Sequence, residues 1–412
     1  MHGKELYEEI LGIERPWKVG RVELEHDTGE VRVEVSVTRG QRLSCPECDT
    51  PSPGYDTRRR SWRHLDTCQF KTRVEAEVPR VKCSTHGVVQ VAVPWAEPGS
   101  GFTALMEAVI IEWLKEASTL AVARLMDLTW DQVDGVMQRA VKRGLERRND
   151  LAPTRIGIDE TSFQKRHEYV TVVTDQETNN VLYVADDRTK GSLEGFFEDL
   201  EPSDLIKIES VSMDMWGPYI AVVESLVHNA EEKICFDKFH VAKHLGDAVN
   251  KVRSHEQREL VKEGDRSLVG TKFTWLRNPS NLPRDSKHFF ERMKRIAIRT
   301  ARAWAIKEQA MSLWCYASRT WARKAWKAWI DWAIRSRLEP VKKVARMIRR
   351  HLDGIINAIV LGVTNAGSES VNSKIQRVKR RACGYRNRAR FRNAIYFHCG
   401  GLDLRPATHT KP

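Results

Sequence analysis

The sequence predicts a multidomain α/β protein in which a mixed β-sheet core is interrupted by an all-helical insertion. Three observations support this prediction. Paired Cys and His residues lie beside alternating strand patterns near the N-terminus, strand and helix patterns alternate between residues 153 and 240, and residues 241–352 are Trp-rich and helical with no strand pattern. With 412 residues, of which 41% are hydrophobic and 30% charged, the chain is long enough for several domains and a sizeable core.

Basic residues outnumber acidic ones. The chain has 68 Lys and Arg against 55 Asp and Glu, a net charge of +13, which predicts a polyanionic partner such as nucleic acid. The excess is uneven, since residues 374–392 contain nine basic residues and no acid. The chain has no apolar run that could span a bilayer and no signal pattern at its N-terminus, which predicts a cytoplasmic protein with no membrane partner.

Residues 1–100 are predicted to form a zinc-ribbon DNA-binding region. A C-x2-C pair and a C-x2-H pair each let one tight turn present two ligands to one tetrahedral ion, and two such turns complete a structural zinc site. Alternating patterns at 31–37 and 72–81 predict strands that lead into the pairs. The four predicted ligands are Cys45, Cys48, Cys83 and His86.

Other interpretations of this region stay open. The thiols could be free and buried, and His64 and Cys68, which lie between the two pairs, could replace one of the four ligands. Disulfides are not expected among the eight cysteines of a cytoplasmic chain. The segment RRRSWRH, residues 58–64, is predicted to be a loop. Its Arg side chains and Trp62 either contact DNA, or the loop is solvated and Trp62 packs against the protein.

Residues 101–150 are predicted to form a helix-turn-helix. Helical spacing over 103–116 is followed by a short helix from about Ser118, and Thr129 with Gln132 forms a capping box at the start of a third helix. A short helix, a turn and a basic helix can enter the major groove, although other helical hairpins share the pattern. Four basic residues on one face of the last helix are predicted to contact DNA: Arg139, Lys142, Arg143 and Arg147.

Residues 151–240 are predicted to form the first part of the core. The predicted order is three strands, a helix, a strand, a helix and a fifth strand, which is the order of an RNase H-like mixed sheet. In that topology the first and fourth strands lie side by side. The predicted strands cover residues 154–160, 168–175, 180–186, 208–216 and 232–240.

Asp159 and Asp214 end the first and fourth predicted strands, so their carboxylates are expected to lie together. Carboxylates this close repel each other unless cations lie between them, and hard oxygen ligands suit Mg²⁺. Taken alone, Asp159 could instead cap a helix or pair with Arg. Asp237 and His240 follow the fifth strand and could contact the metal ligands or DNA, or have a structural role.

The rest of the chain is divided into a helical insertion at 241–355, a last core helix with a basic segment at 356–400, and a tail at 401–412. Residues 278–286 are predicted to separate two helices of the insertion. Most of its Trp residues are expected to pack in a helix-bundle core, with one or two able to stack on DNA. The Trp cluster comprises Trp304, Trp314, Trp321, Trp326, Trp329 and Trp332.

Several of these segments resemble the ISL3 family of insertion-sequence transposases. The segments are IGIDETSF, VSMDMWGPY, FDKFHV and TNAGSESVNSKIQRVKRRACGYRN, together with CPEC…RHLD…PRVKC and LTWDQV near the N-terminus, so the resemblance covers nearly the whole chain. It implies a DDE transposase of the bacterial cytosol or nucleoid, with an RNase H-like core and Glu369 as its third acid. His86 departs from the simpler pattern, in which the last zinc ligand is Cys.

The resemblance implies that the protein binds the terminal inverted repeats of an insertion sequence and catalyses metal-dependent strand cleavage and strand transfer. Asp159, Asp214 and Glu369 would hold two Mg²⁺ or Mn²⁺ ions per active site. The expected partners are double-stranded DNA of the transposon ends and target, and at least one further copy of the chain. Basic residues after Glu369 are predicted to hold phosphates: Lys374, Arg377, Lys379, Arg380, Arg381 and Arg386.

Two other functions fit part of this pattern. A catalytically inactive, transposase-derived regulator would keep the zinc ribbon and the helix-turn-helix, and a structure-specific nuclease could use the same RNase H-like fold. The presence of all three acids favours the enzyme. No G-x-x-x-x-G-K-[ST] phosphate-binding loop occurs, so an ATP-driven step is not expected.

Overall fold

The computed structural model describes residues 3–38, 40–148, 151–164, 168–187, 189–277, 284–364 and 366–407, with the backbone alone described for 284–287. The chain divides into two compact units. The first comprises Met1–Asn149, Arg380–Cys383 and Tyr396–Pro412, and the second comprises Asp150–Lys379 and Gly384–Ile395.

The first unit is built on a five-stranded sheet that follows a short helix, α1 (Gly3–Leu11). The sheet has the order β1-β2-β6-β5, and β7 pairs with β6. Alternate residues of β2 and β6 are buried, and this face packs into one apolar core with Trp17, Trp62 and Trp95. The strands of the first unit are β1 (Trp17–Glu25), β2 (Glu30–Val37), β3 (Leu43–Ser44), β4 (Pro51–Ser52), β5 (Gly54–Thr67), β6 (Phe70–Cys83) and β7 (Gly87–Gln90).

The predicted loop at 58–64 is wrong, because these residues lie within β5. This strand pairs antiparallel with β6 over most of its length, with Trp62 opposite Val74. Trp62 is 2% exposed, so it packs in the core and is not available to stack on DNA. The sequence did not reveal this strand because three consecutive Arg residues, 58–60, interrupt the alternation of apolar and polar residues.

Three helices complete this unit as predicted: α2 (Ala104–Glu116), α3 (Thr119–Leu125) and α4 (Trp130–Arg147). The Ser118 side chain caps α3, and Thr129 and Gln132 form the predicted capping box of α4. Asp127, in the turn before α4, has a φ of 51°. The sequence therefore located both helix starts from their capping residues.

The second unit contains a mixed five-stranded sheet with the order β10-β9-β8-β11-β12. The β8–β9 and β9–β10 pairs are antiparallel, and β8–β11 and β11–β12 are parallel. The predicted adjacency of the first and fourth strands, β8 and β11, is confirmed. The strands are β8 (Arg155–Gln164), β9 (Glu168–Asp175), β10 (Val181–Ala185), β11 (Ser210–Met213) and β12 (Ile234–Phe236).

The fifth strand is much shorter than predicted. It ends at Phe236, and Asp237 is the N-cap residue of a long helix that begins at Lys238. His240 therefore lies in the first turn of this helix and not at a strand end. The apolar residues of this segment belong to two successive elements, which the sequence pattern did not separate.

Helices form the remainder of the second unit within the described residues. The helices before and after β11 are α5 (Lys190–Glu198), α6 (Pro202–Lys207), α7 (Gly217–Leu226) and α8 (Ala230–Lys233). Those of the insertion are α9 (Lys238–Lys262), α10 (Lys272–Leu276), α11 (Arg284–Ile296), α12 (Ile298–Ser312), α13 (Arg319–Arg335), α14 (Glu339–Arg350) and α15 (Leu352–Val360), with a 3-10 turn at Leu313–Cys315. The last two are α16 (Ala366–Arg381) and α17 (Arg388–Cys399).

The Trp cluster of the insertion has both predicted environments. Trp326 and Trp329 are buried, and Trp304 and Trp314 pack against the core of the second unit. Trp321 and Trp332 are 60% and 43% exposed. Residues 278–283 of the predicted break lie outside the described residues, and residues 284–286 belong to α11, so the break was predicted to extend too far. None of the described helices is long and apolar enough to cross a membrane.

Candidate active site and metal centre

Asp159 and Asp214 are carried by two neighbouring strands. Asp214 directly follows β11, whereas Asp159 lies in the middle of β8 and not at its end as predicted, because β8 continues to Gln164. The parallel register pairs Val211 with Ile156 and Ser212 with Gly157, and the same offset of residues sets Asp214 beside Asp159. Each carboxylate also accepts a backbone hydrogen bond from the residue after it, at 2.7 Å for Asp159 and 3.0 Å for Asp214. The sheet therefore presents two oriented carboxylates at one edge.

Helix α16 carries Glu369 in its first turn and packs along β8. Three contacts, spaced at about one helical turn, fix this packing. Gln176 Nε2 donates to Ser368 Oγ at 3.0 Å, Asn372 Nδ2 donates to Asp159 Oδ2 at 2.7 Å, and Gln376 Nε2 donates to Thr161 Oγ1 at 2.8 Å. Ser368, Asn372 and Gln376 of α16 are thus held against β8 and the turn after β9.

Gly157 permits the close approach of α16 to the sheet. A Cβ atom at this position would lie 2.1 Å from Gln176 Nε2, 2.4 Å from Ser368 Oγ and 2.7 Å from Thr174 Oγ1. These distances are far below ordinary contact, so any side chain here would force the helix or its partners to move. Close packing against α16 therefore explains why glycine lies two residues before Asp159 in the segment IGIDE.

The three acids influence one another electrostatically. Burial raises the pKa of the Asp159 carboxyl, and the negative charges of Asp214 and Glu369 raise it further. The N–H of Glu160 and the nearby His240 act in the opposite direction. The charges of Asp214 and Glu369 therefore act at Asp159.

His240 contacts the site directly, whereas Asp237 lies beside it as a buried N-cap residue. His240 Nδ1 is 3.2 Å from Asp214 Oδ1, and the histidine side chain is 12% exposed. Asp237 is 5% exposed at the start of α9. The first turn of α9 thus positions an imidazole against one of the carboxylates.

The acidic site is more open than a compact metal cage. Among the described residues, one group alone brings three or more Cys, His, Asp or Glu ligand atoms all within 4.8 Å of one another, and it is not this one. Carboxylate oxygens fit divalent cations such as Mg²⁺, which would offset the effect of Asp214 and Glu369 on the raised pKa of Asp159. A more open arrangement also suits two ions better than one.

The compact group is the predicted zinc set of the first unit: Cys45, Cys48, Cys83 and His86. Cys48 Sγ lies 3.7 Å from Cys83 Sγ, and His86 Nδ1 lies 3.7 Å from both Cys45 Sγ and Cys83 Sγ. Tetrahedral zinc with bonds of about 2.3 Å separates neighbouring sulfurs by about 3.8 Å. The donor set and its spacing therefore fit structural zinc.

Two tight turns build this site. Cys45 follows β3, and its carbonyl accepts from the N–H of Asp49, which has a φ of 53°. Cys83 ends β6 and pairs with Gly87 at the start of β7. Backbone N–H groups, that of His86 first, lower the pKa of Cys83 to about 6, which favours the thiolate form that binds metal.

The two competing ligands are not part of the cluster. His64 is 4% exposed and its Nδ1 lies 2.8 Å from Thr103 Oγ1. Cys68 is exposed in the turn between β5 and β6, with a φ of 57°. Of the two ligand sets considered, the structure favours the one with Cys83 and His86.

The basic face predicted on α4 is used mainly within the first unit. Arg139 pairs with Glu107, a residue 1% exposed, and Arg143 is itself 8% exposed and donates to Glu97 and to the carbonyl of Leu404. Arg147 donates to Asp403 at 2.8 Å. These contacts give Arg139 and Arg143 structural partners inside the unit, whereas Arg147 remains exposed. That this face of the helix contacts DNA stays a prediction.

Lys142 differs from Arg139 and Arg143 because it is exposed, as are Arg147 and Gln138. A weak contact of 3.8 Å joins Lys142 to Glu146. The exposed side of α4 is therefore polar and of mixed charge.

The basic segment after Glu369 also divides into two groups. Lys379 donates to the carbonyl of Ser162 at 2.8 Å, and Arg381 donates to the carbonyl of Lys115 at 2.9 Å. These two side chains have structural contacts, which the sequence did not anticipate. The other four are exposed: Lys374, Arg377, Arg380 and Arg386.

Asn372 is a site contact that the sequence interpretation missed. It lies three residues after Glu369 on the same helix, so both side chains occupy neighbouring positions of one face. This spacing could have identified Asn372 from the sequence, because a polar residue one helical turn after a metal-binding acid is well placed to contact the other ligands.

Three family models match parts of this chain. A family model described as transposase ISL3 matches residues 156–395, the helix-turn-helix domain of transposase family ISL3 matches residues 91–141, and the zinc-finger of transposase IS204/IS1001/IS1096/IS1165 matches residues 41–86. The chain is 28% identical over 449 aligned residues to a transposase for insertion sequence element IS1557 from Mycobacterium tuberculosis, which covers 100% of this chain and 99% of that protein. It is 26% identical to a transposase for insertion sequence element IS1001 from Bordetella parapertussis, over 93% of this chain and 95% of the relative.

A zinc ribbon and a helix-turn-helix that accompany an α/β unit with an acidic site define a transposase that binds DNA. The chain belongs to the ISL3 family of transposases.

Proposed function

We propose that this chain is a DDE transposase that binds the terminal inverted repeats of its insertion sequence and catalyses DNA cleavage and strand transfer. The observation that carries the proposal is the hydrogen bond from Asn372, on the helix that bears Glu369, to Asp159. The register of β8 and β11 and the effect of Asp214 and Glu369 on the pKa of Asp159 support it. The sheet order and its mixed strand directions support an RNase H-like core, with α9–α15 as its helical insertion.

The three acids would hold two Mg²⁺ or Mn²⁺ ions. Such ions, when bound, supply charge neutralisation at the phosphate and activation of a hydroxyl nucleophile. Asn372 would orient the carboxylate of Asp159, and His240 would orient that of Asp214. These contacts would reduce reorganisation during phosphoryl transfer.

Two surfaces would hold the DNA. The exposed side of α4, with Gln138 and Lys142, would face the terminal repeat as the second helix of a helix-turn-helix does. The exposed residues of α16 and the following turn, Lys374, Arg377 and Arg380, would contact phosphates near Glu369. Pairing of two transposon ends further suggests that at least two copies of the chain act together.

Cleavage of a plasmid that carries the DNA flanking the gene tests this function. We expect Mg²⁺-dependent nicking at the repeats and a joined product with target DNA from the wild type, and neither from Asp159→Ala. Specific binding without nicking would indicate a regulator that has lost activity, and nicking without joining would indicate a nuclease. Either result contradicts the proposal.

A further inference from the structure

The positive charge of the chain is concentrated in the helical insertion. Residues 241–355 contain 27 Lys and Arg against 11 Asp and Glu, a net charge of +16, whereas the other residues contain 41 against 44, a net charge of −3. Residues 1–150, which hold the zinc ribbon and the helix-turn-helix, contain 22 against 24. Because basic side chains provide sequence-independent affinity for DNA, the insertion is the part of the chain best equipped for it.

The insertion also contains a basic groove. It has a volume of about 700 Å³ and opens between α9, the start of α12 and the turn that joins α13 to α14. Glu339 is the one acidic side chain among its lining residues, and it is already paired with Lys342 and Arg346. The basic side chains of the groove are Lys251, His255, Arg258, Arg299 and Arg337.

Three cations of the groove have no acidic partner among the described residues: Lys251, Arg258 and Arg337. All three are exposed. Arg299, by contrast, pairs with Glu259 at 2.6 Å. Lys251 and Arg258 lie two turns apart on α9, about 10 Å along the helix axis.

The walls of the groove are fixed by internal hydrogen bonds. The buried Glu256 of α9 accepts from the N–H groups of Arg299 and Thr300, at 3.0 and 2.7 Å, which attaches the start of α12 to α9. Arg302 Nη1 donates to the carbonyl of Ser336 at 3.0 Å, which secures the turn that carries Arg337. The unpaired cations therefore project from a preorganised surface.

We propose that this groove binds the sugar-phosphate backbone of double-stranded DNA independently of sequence. Contacts of Lys and Arg to phosphates position DNA and carry no sequence information. The insertion would therefore strengthen the hold on flanking or target DNA and leave recognition of the terminal repeats to other parts of the chain. This binding requires no divalent metal and goes beyond the proposed catalytic function.

Salt-dependent binding of the full-length protein tests this proposal. The probe is a fluorescent duplex of about 20 base pairs without terminal repeats, with no added Mg²⁺. We expect the triple variant Lys251→Gln, Arg258→Gln, Arg337→Gln to reduce the slope of log affinity against log salt by about 3, because each lost phosphate contact removes about one. An unchanged melting temperature would show that the variant remains folded.

The matched control removes the same charge elsewhere in the insertion. Lys327, Arg335 and Arg350 are exposed, line no part of the groove, and are replaced by Gln in the same way. The control is expected to change the slope by less than about 1. Equal changes in both triple variants, no change in the groove variant, or stronger competition by RNA duplex than by DNA would overturn the proposal. Failure of DNA cleavage would overturn the proposed function and leave this binding result standing.

Discussion

Asn372 contacts Asp159 and lies on the same helix as Glu369. We expect Asn372→Leu to lower the cleavage rate by about 10–100-fold, the usual effect of removing a partner of a metal ligand, and to raise the Mg²⁺ concentration needed for half-maximal activity. Single-turnover nicking assays over a range of Mg²⁺ concentrations measure both quantities.

Ser373→Ala is the control, because Ser373 is exposed beside Asn372. It should keep the wild-type rate and Mg²⁺ dependence. A fall in rate for Asn372→Leu without a change in Mg²⁺ dependence would contradict a positioning role at the metal ligands.

His64 makes the stability of the first unit dependent on pH. Burial lowers the pKa of His64 from 6.5 to about 4. As the pH falls from 6.5 to 4, His64 becomes protonated in the unfolded chain but stays neutral in the folded chain. The free energy of unfolding therefore decreases over this pH range, by about 3 kcal/mol in total. His64→Gln should reduce this loss.

Urea unfolding at pH 7 and pH 4.5, followed by pulse proteolysis and mass spectrometry, reports the two units separately. His228→Gln serves as the control because His228 is exposed in the second unit. A wild-type pH dependence in the His64 variant would show that another group causes the effect.

At the scale of secondary-structure elements, the packing of α16 on β8 determines the position of Glu369. We expect Gly157→Ala to destabilise the second unit by about 1–3 kcal/mol, because the added methyl group overlaps Ser368 and Thr174. It should also abolish cleavage, since Glu369 moves with the helix. Gly191→Ala, where nothing lies within 4 Å of the new methyl group, should leave both stability and cleavage unchanged. Cleavage by the Gly157 variant at the wild-type rate would contradict this account.

The sequence predicted elements well where local patterns determine them. The capping residues Ser118 and Thr129 located two helices, and buried alternation located β2 and β6. It failed where tertiary packing decides, as in the Arg-rich strand β5 and at the early end of β12. Short apolar segments beside an N-cap residue fit a strand or a helix equally well.

The same distinction applies to the site residues. Spacing identified the zinc ligands, because one tight turn brings each pair together. Spacing could not show that Arg143 is buried against Leu404 or that Lys379 binds a strand carbonyl, since these partners lie far away in sequence. The position of Glu369 came from the family resemblance and not from local pattern.

At the scale of the whole molecule, the zinc site and the basic insertion make separate contributions. We expect wild-type protein and Cys315→Ser to bind one structural zinc per chain, and Cys83→Ser to lose it, because Cys83 belongs to the ligand set and the exposed Cys315 does not. Elemental analysis after dialysis measures the zinc content.

The Cys83 variant should lose specific binding to terminal repeats and retain affinity for random duplex DNA, since that affinity resides in the insertion. A parallel loss of both affinities would contradict the separation.

The central claim is that Asp159, Asp214 and Glu369, far apart in sequence, share one divalent-metal site. Replacing Mg²⁺ with Fe²⁺ and adding ascorbate generates radicals that cut the polypeptide beside the bound metal, and mass spectrometry locates the cuts. The account predicts three cut sites, near residues 159, 214 and 369, that weaken together in Asp159→Asn and are unchanged in the exposed-acid control Glu224→Gln. Cuts near only one of the three acids, or cuts that respond independently to Asp159→Asn, would contradict it.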